Sequence, residues 1–195
     1  MSTIINDGTG KNFSMRVDSS NRARVHAVTE SEQLHAIEEG DGYNINTGLI
    51  SISGDGTLLY LMNSEDRDVV IESVVVAGFK GITFSDDPML TIIKNPTGGD
   101  LITDATAVDM NTNRNFSSNN TFIGLAYKGK TSGTITGGSD IGIFKLNQNG
   151  RDAFGLNLLL QRGDSVALKY TGNISSGSAN YYAAISMYVK EDTTD

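Results

Sequence analysis

The chain has 195 residues, a net charge of −8, no cysteine and only two prolines. The missing cysteine excludes a disulfide framework, a thiolate metal site and a cysteine nucleophile. A single domain of this length buries roughly 70% of its unfolded surface, so it needs neither bridge nor metal to be stable. Gly, Ser, Thr and Asn make up about two fifths of the residues, which favours many short strands and turns over helices.

The start, Met1 to Gly8, lacks a basic n-region and an apolar h-region, so no secretory signal is expected. No apolar run approaches the roughly 20 residues that cross a bilayer, and no membrane partner is expected. Phe13–Val17 and Ala23–Val28 read as two short strands joined by Asp18-Ser19-Ser20-Asn21. Thr29-Glu30-Ser31-Glu32 matches a capping box, and Leu34 and Ile37 would give a short helix an apolar edge before Gly40-Asp41-Gly42 ends it; an extended linker is the rival. Residues 1–42 thus read as an N-terminal arm, a hairpin plus a possible short helix, and residues 43–195 as the core domain.

Nine strands are expected in the core: 49–53, 57–62, 69–79, 89–94, 121–127, 141–146, 156–161, 166–171 and 180–190. The last three are the clearest. Leu156, Leu158 and Leu160 alternate with Asn157 and Gln161, and Val166, Leu168 and Tyr170 alternate with Ala167, Lys169 and Thr171. Tyr181, Ala183, Ile185, Met187 and Val189 share one face opposite Asn180, Ser186 and Lys190. Strand side chains alternate between faces with period two, so each segment buries one row and wets the other. Gly54-Asp55-Gly56 reads as a compact hairpin turn. The long polar connection from Asn95 to Asn120 is of a length usually reserved for functional or interface-forming loops. Strands in this number, joined by hairpins and long connections, predict an all-β fold, an antiparallel two-sheet jelly-roll sandwich.

Charge is unevenly placed. Residues 1–29 carry four basic groups against two acidic ones, and the rest carries eleven against twenty-one. The acidic body repels phosphate backbones, so nucleic acid is not an expected partner. Arg16, Arg22 and Arg24 fall at even positions that could share one strand face, where guanidiniums bond carboxylates of an acidic neighbour; they are the candidate partner-binding residues. The alternative is that they solvate an exposed strand.

Several motifs invite chemistry and are better read as structure. Gly124-Leu125-Ala126-Tyr127-Lys128-Gly129-Lys130-Thr131 fits the P-loop pattern, but Thr131 to Gly138 cannot begin the helix whose amides would cradle phosphate. Arg162-Gly163-Asp164 spells an integrin-ligand tripeptide in a strand-to-strand turn. His26 and His35 are the only histidines and have no zinc-ligand spacing. Asp86-Asp87, Glu38-Glu39 and Glu65-Asp66 could bind calcium or act as paired glycosidase carboxylates, but the alternating ligands of a calcium loop are missing. No catalytic residue, cofactor or metal is therefore expected.

Ala23–Val28 with Thr29-Glu30-Ser31-Glu32, then Gly42-Tyr43-Asn44-Ile45-Asn46-Thr47-Gly48, Asn95-Pro96-Thr97-Gly98-Gly99 and the Asn111–Asn120 loop resemble a family of tailed-bacteriophage virion proteins, over roughly residues 15–190. The resemblance implies a non-enzymatic jelly-roll protein displayed on the virion, made in the host bacterial cytoplasm and decorating or cementing the capsid as a homotrimer. Its partner would be the major capsid protein or another virion protein. A tail- or head-fibre component that binds a receptor or glycan is the alternative, suggested by the long Asn/Thr/Gly-rich loops.

Overall fold

A computed structural model describes residues 5–6, 14–15, 31–79, 87–103, 106–109, 112–129, 134–147, 150–172 and 178–191. The chain divides into two compact units, Met1–Ser31 and Glu32–Asp195. In the first, β1 (Ile5–Asn6) pairs antiparallel with β2 (Ser14–Met15). Part of the expected first arm strand is therefore β2, with Ile5–Asn6 as its partner. The expected strand Ala23–Val28 and the Thr29 cap lie outside the described residues.

The second unit begins with α1 (Glu32–Glu39), which packs on β3 (Gly42–Ile52) and β12 (Ala179–Val189). The helix groups with the second unit and shields the outward face of β12, where the Tyr188 hydroxyl donates to Glu32 at 3.5 Å. Ala36 is the buried residue of the helix, and Leu34, expected on its apolar edge, is half exposed. The helix ends as expected at Gly40. With Gly40 at φ +84°, its amide bonds the Ile37 carbonyl at 3.1 Å and the Asp41 amide bonds that of Ala36 at 2.7 Å, a Schellman motif.

The strands that follow are β4 (Gly56–Asn63), β5 (Val69–Phe79), β6 (Met89–Lys94), β7 (Thr106–Ala107), β8 (Gly124–Lys128), β9 (Ser139–Lys145), β10 (Arg151–Leu160) and β11 (Ser165–Thr171), with a single helical turn, α2 (Asp100–Thr103), after β6. They form a four-stranded sheet of order β10-β5-β12-β3 and a six-stranded sheet of order β7-β8-β4-β11-β6-β9. Every pairing is antiparallel. The pairs β3/β12, β4/β11, β5/β10 and β6/β9 are the rungs of one long hairpin whose tip lies between β6 and β9. Winding that hairpin places successive rungs in alternate sheets and makes a two-sheet jelly roll.

This winding corrects one local expectation and refines another. Gly54-Asp55-Gly56 does not close a hairpin, because β3 and β4 lie in different sheets. The turn at Arg162-Gly163-Asp164 likewise arches from β10 in one sheet to β11 in the other.

The core lies between the sheets. The alternating rows Val166, Leu168, Tyr170 and Tyr181, Ala183, Ile185, Met187, Val189 all enter it, with Val69, Ile71, Val74 and Val76 of β5. Burying each of the Val, Leu, Ile and Met side chains contributes about 1.5–3 kcal/mol. A smaller cluster on the outward face of the six-stranded sheet joins Tyr60, Ile93 and Ala167 to Leu101 and Ile135. It is covered by the excursions around α2 and residue 135, which are tied together by Thr97, Gly98 and Leu101 amides bonding the Thr136 and Thr134 carbonyls.

Strand β3 starts seven residues before the expected Leu49. Its opening Asn44 and Asn46 are poor strand formers, but Thr47 is placed where the β3/β12 register shifts between Tyr182 and Ala184. There its hydroxyl takes the ladder's role, accepting from the Ala183 amide at 3.0 Å and donating to the Gly48 carbonyl at 2.7 Å.

Candidate interaction edge

At one side of the sandwich β9 and β10 are both edge strands. Among the described residues no strand pairs with their outer edges. The side chains there are less buried than in any interior strand. Phe144 faces inward opposite Leu90, and Phe154 opposite Val74. The two rings, one from each sheet, meet at a centroid distance of 4.4 Å and tilt of 34°. Gly142 permits this, because a Cβ there would lie 2.8 Å from the Phe144 ring.

Both edges are bulged. Strand β9 skips between Ile92 and Ile93 of its partner, which leaves Ile141 as the extra residue. Strand β10 skips between Gly155 and Leu158, and Asn157 adopts a left-handed φ of +51°. Such bulges twist edges away from indiscriminate pairing. Exposed apolar side chains remain: Ile141 is 45% exposed, Ile143 59% and Leu159 51%.

Beside them lies an apolar cavity of about 140 Å³, lined by Ile141, Leu158, Leu159, Leu160 and Val166. Its polar rim is held in place. The Asn95 side chain, at a residue with φ +47°, donates to Asp164 at 2.8 Å and accepts from the Ser165 amide at 2.7 Å. The Asn95 bond holds the Asp164 carboxyl below its ordinary range, with the Gln161 amide and Lys94 acting in the same direction.

The sequence candidates fall elsewhere. Arg16, Arg22 and Arg24 lie outside the described residues, as do His26, Asp86 and Lys130. Asp164 of the Arg-Gly-Asp turn accepts from Asn95 and the Gln161 amide, Arg162 pairs with Asp66, and Gly163 takes φ +86°. The tripeptide is thus consumed by its own turn. Gly124–Lys128 of the P-loop match is strand β8, and Gly129 bonds the Leu58 carbonyl at 2.9 Å. That glycine serves packing against β4, since a Cβ would stand 1.7 Å from the Thr57 carbonyl oxygen. His35 sits on α1, 3.7 Å from Glu191. Glu65 accepts the Ile123 amide at 2.7 Å, and Glu72 pairs with Arg114 at 2.5 Å. Among the described residues no three His, Asp or Glu side chains converge as metal ligands.

The Asn-rich loop has a structural task. Asn115, Asn120 and Asn113 donate their side-chain amides to the carbonyls of Glu38, Glu39 and Gly40 at 2.7, 3.4 and 2.5 Å. Those of Glu38 and Glu39 are among the carbonyls a helix C-terminus leaves unpaired. The loop is fastened to the outer edge of β3 by the Asn44 amide on Thr112 and the Arg114 amide on Gly42, at 2.9 and 2.8 Å.

Ile141, Ile143 and Leu159 were not singled out by periodicity. The run Leu158-Leu159-Leu160 was the available signal, since three successive leucines break the alternation of a strand that wets one face.

No protein-family model and no curated protein matches the chain. Among solved structures it aligns with infectious bursal disease virus, Gt strain, at 13% identity over 98% of this chain and 46% of that one, TM-score 0.12. The Gx strain aligns at 15% identity over 97% and 47%, TM-score 0.12. The chain spans a little under half the length of those proteins, and TM-scores this low establish no common fold.

Proposed function

We propose that this chain is a non-enzymatic structural protein of a bacteriophage particle, a decorating or cementing unit added to the capsid shell. The observation that carries the reading is the open side of the sandwich. Two neighbouring edges, unpaired among the described residues, turn Ile141, Ile143 and Leu159 outward, apolar surface that a protein acting alone would cover or charge.

Two further features support it. Jelly rolls are an architecture of capsid domains, as of lectins and cupins. The loop signatures named above resemble tailed-phage virion proteins. On this reading the partner is the major capsid protein or another virion protein, and Arg16, Arg22 and Arg24 of the arm bond its carboxylates. The protein then acts on the capsid surface as a homotrimer.

The test is binding of purified protein to particles that lack it, with occupancy read by cryo-electron microscopy. Full-length protein is expected on the shell, and protein lacking residues 1–28 is expected to melt normally but bind weakly. Density confined to the tail tip would replace the decoration role with receptor or glycan binding. Full occupancy by the truncated protein would move the attachment away from the arginines.

A further inference from the structure

We propose that a cavity on the outward face of the six-stranded sheet is a binding site for a neutral, hydroxyl-rich ring of pyranose size. The cavity measures about 280 Å³, and its lining includes Asp55, Thr57, Thr134, Ile135, Thr136 and Lys169. Thr57 stands in its floor. That residue lies directly opposite Lys169 in the β4/β11 ladder, and directly opposite residues project from the same face of a sheet. Lys169 projects outward, because Val166, Leu168 and Tyr170 alternate with it and enter the core. The Thr57 side chain therefore faces the excursion around Ile135, which packs on this same face. Thr57 is 1% exposed, and its hydroxyl has no hydrogen-bond partner among the described residues. A buried hydroxyl left unpaired costs free energy, which a ligand hydroxyl in the cavity would relieve.

The walls are fixed by bonds within the protein. The Thr134 hydroxyl donates to Asp100 at 2.8 Å, so it retains acceptor capacity alone. The amide and carbonyl of Thr136 are both bonded to Gly98, at 2.8 and 3.2 Å, which holds this wall against the sheet. The Asp55 carboxylate accepts the Gly172 amide at 3.0 Å and is thereby kept beside the start of β4.

Chemistry selects the class of ligand. Among the described residues the lining carries one ammonium and one carboxylate, which together favour neither an anion nor a cation. Three hydroxyls stand with them, and a hydroxyl both donates and accepts. Such a set matches a ligand whose own polar groups are hydroxyls: Lys169 donates to it, Asp55 accepts from it, and Thr57 does either. Ile135 supplies apolar contact for the ring carbons. Size agrees. An apolar cavity of about 150 Å³ holds benzene, and a water needs only about 30 Å³. A cavity of about 280 Å³ therefore exceeds a niche for one structural water and takes a six-membered ring with its substituents.

The experiment is a titration of isotope-labelled full-length protein with glucose, galactose, mannose and N-acetylglucosamine, followed by amide chemical shifts, with inorganic phosphate as a separate arm. At least one sugar is expected to move the amides of Thr57, Thr136 and Lys169 with a Kd on the order of 1 mM, the affinity of a ligand of about twelve non-hydrogen atoms. Thr57→Val is expected to weaken that sugar about tenfold while melting no lower than wild type. Thr57→Ser keeps the hydroxyl and is expected to bind within a factor of about three of wild type. Lys169→Met, at a half-buried side chain, is expected to weaken binding as well. No shift with any of the four sugars at about 50 mM, or a response to phosphate alone, would overturn the site. So would undiminished binding by either Thr57→Val or Lys169→Met. Particles take no part in the measurement, so its failure and that of the capsid reading are separate results.

Discussion

The side-chain amide of Asn63, at the end of β4, donates to the carbonyl of Leu160, at the end of β10, across 3.0 Å, joining strands of opposite sheets. Asn63 is fully buried, and it also donates to the Arg67 carbonyl at 3.1 Å and accepts the Glu65 amide at 2.8 Å. One residue therefore organises both arches at this end of the jelly roll. Asn63→Leu keeps the branched shape but leaves the Leu160 and Arg67 carbonyls and the Glu65 amide without their partner. It is expected to lower stability by on the order of 3 kcal/mol, read as a lower urea midpoint with an unchanged slope.

Alkaline pH should unfold the protein. Burial is the main cause that pushes Tyr43 up to about 12, with Asp41 and Glu65 adding to it; burial also raises Tyr170 and Tyr181, whose hydroxyls lie 3.5 Å apart in the core. A tyrosine is neutral when protonated, so a raised folded value means the native state holds its proton longer. The stabilisation is complete below the unfolded value of about 10 and is lost as pH rises through the folded one, at about 1.4 kcal/mol per pH unit for each tyrosine. Urea midpoints should hold steady from neutral pH to about pH 10 and fall beyond it. Urea midpoints that stay unchanged from about pH 10 to about pH 12 would contradict this.

Thr57 is buried, and its hydroxyl finds no hydrogen-bond partner among the described residues. An unpaired buried hydroxyl costs free energy that a methyl group does not. Thr57→Val is expected to raise stability by about 1 kcal/mol in chemical denaturation. A loss of stability would show that the hydroxyl has a partner.

Gly129 gives a sharper contrast. A side chain there would collide with the Thr57 backbone, which cannot move without breaking β4 from its neighbours. Gly129→Ala is expected to cost on the order of 3 kcal/mol, measured by thermal and urea unfolding. A variant as stable as wild type would mean that β8 does not approach β4 as described.

Within each strand, the pattern of residues was enough. Rows such as Tyr181, Ala183, Ile185, Met187 and Val189 declare their buried face because period-two alternation is a local property of the chain. Val69–Phe79 and Met89–Lys94 have the expected limits for the same reason. Which strand faces which is a different matter. Gly54-Asp55-Gly56 suits a hairpin as well as an arch, and only the pairing of β3 with β12 and of β4 with β11 decides that the chain crosses between sheets there. The same holds for the open side. Ile141 is an unremarkable apolar strand residue in sequence and the Leu158-Leu159-Leu160 run names no neighbour; the two form one surface because the winding leaves β9 and β10 side by side as edges. The sequence by itself determined most of the core strands, the buried faces of the clearest rows and the all-β class. The tertiary structure alone decided the sheet order and the helix-capping task of the asparagines, because each depends on contacts between residues far apart along the chain.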